Sequence, residues 1–359
     1  MNADDLNLYR GSPRQIIYWV QRALQAGLIP MVQGSPGIGK SAAFRSLAKN
    51  MNLFMIDDRV STKGPEHYSG LPDVSGNRVV YKPMQMFPLE GDPLPKDKDG
   101  NDMAGWLYFL DEFNSGLPTT LVGAYKFLAE REVEGQKLHP KCYIVAAGNR
   151  DEDRAITQSL GTALQRRLLW LEMYLDGSIK SHFDAFMQDV AIPQNWNSRL
   201  ISFLYAYPKY LNNFDPDHTE RTFSCPATLE GASNLMDQEP IVIEDAPLYC
   251  GQLGHTVGMD LVNYDQVFGQ IPTLKDILTN PLTATIPTDP RQIWAMTSIL
   301  VNGTDKDTIE DISSYVDNFN LEFKVLYWRQ IQMKYPALVR EPAFRRAFTA
   351  IGRYLYEGA

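Results

Sequence analysis

Residues 34–41 read Gly34-Ser35-Pro36-Gly37-Ile38-Gly39-Lys40-Ser41. This is the G-x-x-x-x-G-K-S pattern of a loop that surrounds a polyphosphate with backbone N–H groups. Glycine suits such a tight curl, because it tolerates positive φ and allows close approach to the backbone. In this pattern Lys40 reaches the β- and γ-phosphates and the Ser41 hydroxyl binds Mg²⁺. The loop, with Ala42 after it, is therefore predicted to bind ATP and Mg²⁺.

The sequence on either side of the loop has the periodicity that this pattern requires. Residues 30–32 are a short apolar run typical of a buried strand, and residues 42–49 combine good helix formers with apolar spacing. A helix that begins near Lys40 adds the positive end of its dipole to the phosphate site. The alternative is a glycine-rich turn that binds nothing, and the order strand, loop, helix argues against it.

A second apolar run ends in two acids. It reads Trp106-Leu107-Tyr108-Phe109-Leu110-Asp111-Glu112. Such a run is typical of a buried parallel strand with carboxylates at its carboxyl end. There Asp111 would support Mg²⁺ beside Ser41, and Glu112 would orient the attacking water. The alternative is an acidic strand end in solvent.

Two more strands are predicted, each followed by polar residues. Residues 53–56 precede Asp57, Asp58 and Arg59, which would lie on the ligand-binding side of an open α/β sheet. Residues 143–147 precede Gly148 and Asn149. Asn149 could donate a hydrogen bond to the γ-phosphate or the water, or could simply form a turn after glycine.

Three further segments complete the first half of the chain. Ser12 and Pro13 are typical of a helix start, and Gly27 of a helix end, so a helix is expected between them, packed mainly on the core. Residues 62–105 are rich in Gly, Pro, Asp and Asn, which is typical of a functional or mobile segment, and residues 77–81 could form half of a hairpin. A helix is also predicted over residues 121–132.

Arg166 and Arg167 stand together between two apolar runs. They could be a simple surface pair. They could equally supply an arginine finger to the nucleotide of a neighbouring subunit, because a guanidinium can neutralise charge on the γ-phosphate.

Beyond Asp176 helical stripes replace strand-like runs. We place the domain boundary near this residue and expect an α-helical second domain. The candidate helices cover residues 179–190, 198–207, 227–236, 293–300 and 321–333.

The composition is that of a globular chain: 359 residues, 44% hydrophobic, with a net charge of −9. This charge disfavours an open, sequence-independent nucleic-acid surface. The three cysteines match no zinc pattern and make a disulfide framework improbable, which fits a reducing cytoplasm. The acidic residues 1–5 contain no apolar signal core, and no apolar run is long enough to cross a bilayer.

These landmarks, in this order, resemble the AAA+ ATPases and, within them, the MoxR-like group. Residues 34–41 resemble Walker A, and residues 107–112 resemble Walker B. Residues 113–118 are similar to the stretch that follows Walker B in MoxR-like proteins. Asn149 falls where the family carries sensor 1, and residues 163–168 are similar to the segment that supplies its arginine finger.

The resemblance covers roughly residues 10–300 and is strongest up to Leu171. It makes Arg167 the finger candidate, with Arg166 next. It implies an α/β, parallel-sheet P-loop domain at residues 1–175, followed at residues 176–359 by an α-helical lid with a C-terminal helical extension.

The resemblance also implies a ring of identical subunits, usually a hexamer, with ATP at each subunit boundary. It implies work on a protein partner, often one with a von Willebrand factor A domain. Residues 62–105 match a loop that MoxR-like proteins insert toward the ring centre, so this segment is expected to contact the partner. A nucleic-acid-directed motor of the same superfamily is the less favoured alternative because of the net charge.

One position departs from the family. Residues 224–230 resemble the start of the lid helix that carries the sensor 2 arginine, but the matching residue is Ala227. Arg221 lies nearby and could replace it. A weaker lid closure would favour another hypothesis, in which the chain is a nucleotide-gated assembly module with little turnover.

Overall fold

The computed structural model describes residues 9–153, 160–236, 240–266, 272, 274–288 and 290–356. The chain divides into two compact units between Leu175 and Asp176. The acidic N-terminal residues 1–5, in which no signal core is expected, lie outside the described residues.

The first unit is built on a parallel sheet. Its strands in chain order are β1 (Arg10–Gly11), β2 (Ile29–Gln33), β3 (Leu53–Arg59), β4 (Leu71–Asp73), β5 (Val80–Lys82), β6 (Gly105–Asp111), β7 (Glu132–Val133), β8 (Gln136–Lys137), β9 (Cys142–Gly148) and β10 (Leu168–Met173). Six of them form one sheet in the order β1-β10-β2-β9-β6-β3, with every pair parallel. This order brings the carboxyl ends of β2, β9 and β6 together at one edge.

Helices cover this sheet on both faces. Those of the first unit are α1 (Pro13–Gln25), α2 (Lys40–Asn50), α3 (Glu66–Ser69), α4 (Pro118–Glu130) and α5 (Thr162–Gln165). Successive residues of β6 point to opposite faces. Phe109 packs on Phe44 of α2, with ring centroids 5.1 Å apart, whereas Tyr108 packs on Phe127 of α4 at 5.0 Å. Strand β6 is buried along its whole length for this reason.

The α/β fold predicted from the sequence is confirmed by this sheet. The strands predicted at residues 30–32, 53–56, 106–110 and 143–147 are β2, β3, β6 and β9. Strands β1 and β10 have no predicted counterpart. The helix predicted over residues 121–132 ends earlier, at Glu130, because Arg131 adopts a positive φ of 52° and Glu132 begins β7.

The segment over residues 62–105 contains a small hairpin, as expected. Strands β4 and β5 pair antiparallel, with Leu71 opposite Lys82. The hairpin residues Leu71, Val79, Val80 and Tyr81 are at least half exposed. Helix α3 connects the hairpin to the end of β3.

The second unit contains no strand among its described residues. Its helices are α6 (Lys180–Phe186), α7 (Ser198–Ala206), α8 (Pro226–Leu235), α9 (Ala246–Leu253), α10 (His255–Gln266), α11 (Leu274–Thr279), α12 (Pro290–Asn302), α13 (Ile309–Val316), α14 (Leu321–Lys334) and α15 (Pro342–Tyr356). The five predicted helices correspond to α6 with the π-helical turn after it, α7, α8, α12 and α14. Within the described parts of the chain, no helix is both long and apolar enough to span a bilayer.

Candidate nucleotide-binding site

The loop over residues 34–39 connects β2 to α2 at the carboxyl edge of the sheet. Gly37 and Gly39 adopt positive φ values of 71° and 97°, and Gly39 directly precedes the first residue of α2. Gly34 is needed for a different reason. A Cβ at this position would lie 2.8 Å from the carbonyl oxygen of Met173 in β10. The loop thus curls in front of the amino end of α2, where N–H groups and the helix dipole favour an anion.

The Lys40 ammonium group lies in this loop. Its Nζ donates to the carbonyl oxygens of Gly34 and Ser35, at 2.6 and 3.1 Å, and to Oδ1 of Asn149 at 3.2 Å. Burial lowers the pKa of Lys40 to about 8, while the charges of Asp153 and Asp111 act in the opposite direction. Lys40 therefore links the loop to Asn149 at the end of β9.

The side chains of Ser41, in the first turn of α2, and Asp111, at the end of β6, are in contact. The Ser41 hydroxyl donates to Oδ2 of Asp111 over 3.1 Å. Asp111 ends β6 and its side chain is 10% exposed. A hydroxyl next to a carboxylate, beside a loop whose N–H groups favour an anion, fits Mg²⁺, because this ion prefers one or two protein oxygens with substrate phosphates and water.

Glu112 turns the chain sharply after β6. Its φ of 51° is unusual for a residue with a side chain, and its N–H donates to Oδ1 of Asp111 at 2.9 Å. Oε2 of Glu112 accepts a hydrogen bond from the Ser61 hydroxyl, and Oε1 lies 3.7 Å from Nε of Arg59. The carboxylate stays 40% exposed, so water can reach it.

Asn149 is held through its backbone. Its carbonyl oxygen accepts from Nδ2 of Asn114 at 2.7 Å and from Nε2 of Gln33 at 3.4 Å. A Cβ on Gly148 would lie 2.0 Å from Oδ1 of Asn114, so only glycine leaves room for this amide. The side chain of Asn149 is thereby directed at Lys40.

Arg150 follows Asn149 but is paired within its own unit. Its guanidinium contacts Asp153 at 2.6 Å and Glu172 at 3.3 Å. Arg150 and Asp153 carry charge close to Lys40 and influence its pKa.

Arg166 and Arg167 lie at the amino-terminal ends of the strands, opposite the end of the sheet that carries the loop. They precede Leu168, which pairs with Ile29 at the start of β2, whereas the loop follows the end of β2. The five residues of β2 separate the arginine pair from the loop by roughly 15 Å along the strand direction. Arg166 is exposed. Arg167 donates to the carbonyl of Ala163 and lies 4.6 Å from the ring centre of Tyr125.

Ala227 occupies the first turn of α8, after Cys225 as N-cap and Pro226 as first residue. Arg221 is exposed in the preceding segment. The first turn of α8 therefore carries no arginine.

The structure brings Lys40, Ser41, Asp111, Glu112 and Asn149 together. It adds four side chains that were not identified as site residues from the sequence: Gln33, Arg59, Ser61 and Asn114. The rule that ligands bind at the carboxyl ends of parallel strands places Arg59 on this side of the sheet but gives it no partner. Gln33 and Ser61 carry no motif, and Asn114 belongs to the stretch over residues 113–118 without a predicted role of its own. The contacts of all three depend on which strands are neighbours.

No family model and no curated protein matches the sequence. Among solved structures, one provisionally named an ATPase, from Cytophaga hutchinsonii, matches with a TM-score of 0.35 and 13% identity, over 98% of this chain and 92% of that chain. NtrX from Brucella abortus matches in its ADP complex with a TM-score of 0.31 and 13% identity, over 94% of this chain and 68% of that one. Its ATP complex gives a TM-score of 0.34 at 13% identity, over 95% and 68%.

Proposed function

We propose that the chain is a Mg²⁺-dependent ATPase of the AAA+ class, similar to the MoxR-like group. One observation carries this proposal: the Ser41 hydroxyl and the Asp111 carboxylate lie 3.1 Å apart at the mouth of a loop that contains Lys40. Phosphoryl transfer needs mainly positioning and charge neutralisation, and these residues supply both.

Binding would begin at the loop. The N–H groups at the start of α2 would receive the phosphates, and Lys40 would exchange its carbonyl partners for β- and γ-phosphate oxygens. Ser41 and Asp111 would hold Mg²⁺, which neutralises charge that develops on the phosphates. The loop residues Gly34, Ser35, Pro36, Gly37, Ile38, Gly39 and Ala42 complete the phosphate site.

Hydrolysis would depend on Glu112 and Asn149. The exposed carboxylate of Glu112 can accept a hydrogen bond from a water molecule. This bond orients the lone pair of the water oxygen toward the γ-phosphate. Because Oδ1 of Asn149 accepts from Lys40, its Nδ2 can donate to the γ-phosphate or to the water.

Arg167 would act on the nucleotide of a neighbouring subunit. Its place at the opposite edge of the sheet makes a role at its own loop impossible without refolding the strand. Arg166, beside it, is the second candidate. An arginine that acts in trans requires an oligomer, and we propose a ring, usually a hexamer in this group, located in the cytoplasm.

The partner would be a protein. The exposed apolar residues of the β4–β5 hairpin supply a contact surface, and the net charge of −9 disfavours nucleic acid. A partner with a von Willebrand factor A domain stays a prediction from the resemblance.

The test is the Glu112→Gln variant. It keeps the shape of the side chain but removes its charge, so ATP should bind with unchanged Kd while turnover falls about a hundredfold or more. Isothermal titration with Mg²⁺–ATP and a phosphate-release assay measure the two quantities. The matched control is Glu90→Gln, at an exposed position outside the site. Turnover of the Glu112→Gln variant at the wild-type rate would refute the role of Glu112.

A second candidate function is a nucleotide-gated assembly module. The first turn of α8 carries Ala227, where the resemblance expects an arginine, and this residue provides no cation for a γ-phosphate. The same assays distinguish the two functions. A fully assembled, ATP-bound wild-type oligomer with negligible phosphate release would favour the module, whereas steady turnover would favour the ATPase.

A further inference from the structure

A buried carboxylate lies behind the site. Asp58, near the end of β3, is fully buried, and its Oδ2 is the focus of three side chains. Nε2 of His67 lies 2.9 Å away, and the hydroxyls of Tyr68 and Tyr108 donate over 3.0 and 2.9 Å. Nζ of Lys63 lies 3.9 Å from Oδ1. We call these residues the Asp58 cluster.

The cluster keeps Asp58 ionised. Burial by itself would raise the pKa of Asp58, but the hydrogen bonds and charge of His67, with the two tyrosine hydroxyls, hold the pKa below its usual range. A buried carboxylate oxygen with three hydrogen-bond partners specifies one local arrangement, since the loss of any partner is costly. The cluster therefore fixes the elements that contribute to it.

Those elements enclose the segment that contacts Glu112. The chain runs from Asp58 through Arg59 and a 3₁₀ turn, Val60–Thr62, to α3. His67 and Tyr68 of α3 then return to the Asp58 carboxylate, closing a loop of about ten residues. The side chain of Val60, within this loop, is buried in the hydrophobic core.

The loop presents two side chains to the site. Ser61 donates to Oε2 of Glu112, and Nε of Arg59 lies 3.7 Å from Oε1. Glu112 needs such support, because its positive φ of 51° places it on a turn whose own backbone does not fix the carboxylate.

We propose that Asp58, His67 and Tyr68 are positioning residues for ATP hydrolysis. By closing the loop over residues 58–68, they hold Ser61 and Arg59 against Glu112 and so set the direction of its carboxylate. This inference rests on the proposed ATPase function. It assigns no contact with the nucleotide to the cluster.

Two matched variants test it, Tyr68→Phe and Tyr108→Phe. Each removes one hydroxyl from the same oxygen of Asp58, and both tyrosines are buried. Only Tyr68 belongs to the segment that closes the loop, whereas Tyr108 lies within β6. Both variants should lose similar thermal stability. Tyr68→Phe should lower kcat about threefold or more with KM for ATP unchanged, while Tyr108→Phe should keep kcat near the wild-type value.

A double variant separates positioning from a general loss of packing. In a Ser61→Ala background the Ser61 hydrogen bond to Glu112 is already absent and only the Arg59 contact remains. Adding Tyr68→Phe should therefore lower kcat by less than it does in the wild-type background. Equal kcat losses for the two tyrosine variants, or a full Tyr68→Phe effect without Ser61, would overturn the proposal. Absence of turnover in the wild type would refute the ATPase function, and this inference with it. Normal wild-type turnover that Glu112→Gln abolishes, with no effect of Tyr68→Phe, would refute this inference alone.

Discussion

Lys40 has a perturbed pKa because its ammonium group is buried among carbonyl and amide oxygens. A bound polyphosphate would stabilise the charged form and raise the pKa again, so ATP should bind the protonated lysine. Affinity is then fully present below the free pKa of about 8 and is lost as pH rises through it. We expect the Kd for ATP to increase roughly 30-fold between pH 7 and pH 9.5, as measured by titration calorimetry.

The Lys40→Arg variant is the control for this prediction. A guanidinium stays protonated throughout this range, so whatever affinity the variant retains should change little with pH. A wild-type profile as flat as that of Lys40→Arg would mean that Lys40 does not titrate at the binding site.

At the scale of single elements, helix α1 begins with a complete capping box. The Gln15 N–H donates to the Ser12 hydroxyl over 3.4 Å, and the Ser12 N–H donates to the Gln15 side chain over 2.9 Å. Ser12→Ala removes one of these bonds and should lower the free energy of unfolding by about 1 kcal/mol. Thermal denaturation should show a decrease in Tm of about 2–4 °C.

Ser46→Ala serves as the matched control, since Ser46 is exposed within α2 and alanine favours a helix interior. Its Tm should stay equal to that of the wild type or rise slightly. If Ser12→Ala is as stable as Ser46→Ala, the capping box contributes nothing measurable.

The elements differ in how far their sequences predict them. Strand β6 is a buried apolar run that ends in acids, and its type and end were predictable from the residues. Strand β10 has a comparable apolar run after the Arg166–Arg167 pair, but no strand is predicted there from the sequence. Its place between β1 and β2 depends on pairing with strands more than a hundred residues away, which no local pattern records.

On the scale of the whole molecule, the proposed ring makes a prediction about mixed assemblies. Glu112→Gln subunits lack the proposed water-positioning residue but keep Arg167, and Arg167→Ala subunits have the opposite defect. Each homo-oligomer should be at least about a hundredfold slower than the wild type. A mixture of the two should recover measurable phosphate release, because some interfaces combine an intact Glu112 with an intact Arg167.

Arg166→Ala replaces Arg167→Ala in the control mixture. If Arg167 is the finger, Arg166→Ala alone should remain active. An Arg166→Ala homo-oligomer that is inactive, but regains phosphate release when it is mixed with Glu112→Gln subunits, would assign the finger to Arg166. An Arg167→Ala homo-oligomer with wild-type turnover would exclude that residue.

Much of the candidate site was predictable from the sequence. Lys40 and Ser41 are specified by a local loop pattern, and Asp111 and Glu112 by the end of a strand. Their meeting follows from one general rule, that parallel strands bring their carboxyl ends to one edge. Gln33, Ser61 and Asn114 were not predictable, because single polar side chains acquire a role only from the residues that face them.

The sequence by itself determined the glycine-rich loop before Lys40, the acidic end of β6 and the change from strands to helices near Asp176, since each depends on residues close together in the chain. Only the tertiary structure decided the strand order, the burial of Asp58 among three side chains, and the placement of Arg167 at the edge opposite the loop. These features depend on contacts between distant segments, and their energies come from burial and hydrogen bonds that exist only after the chain has folded.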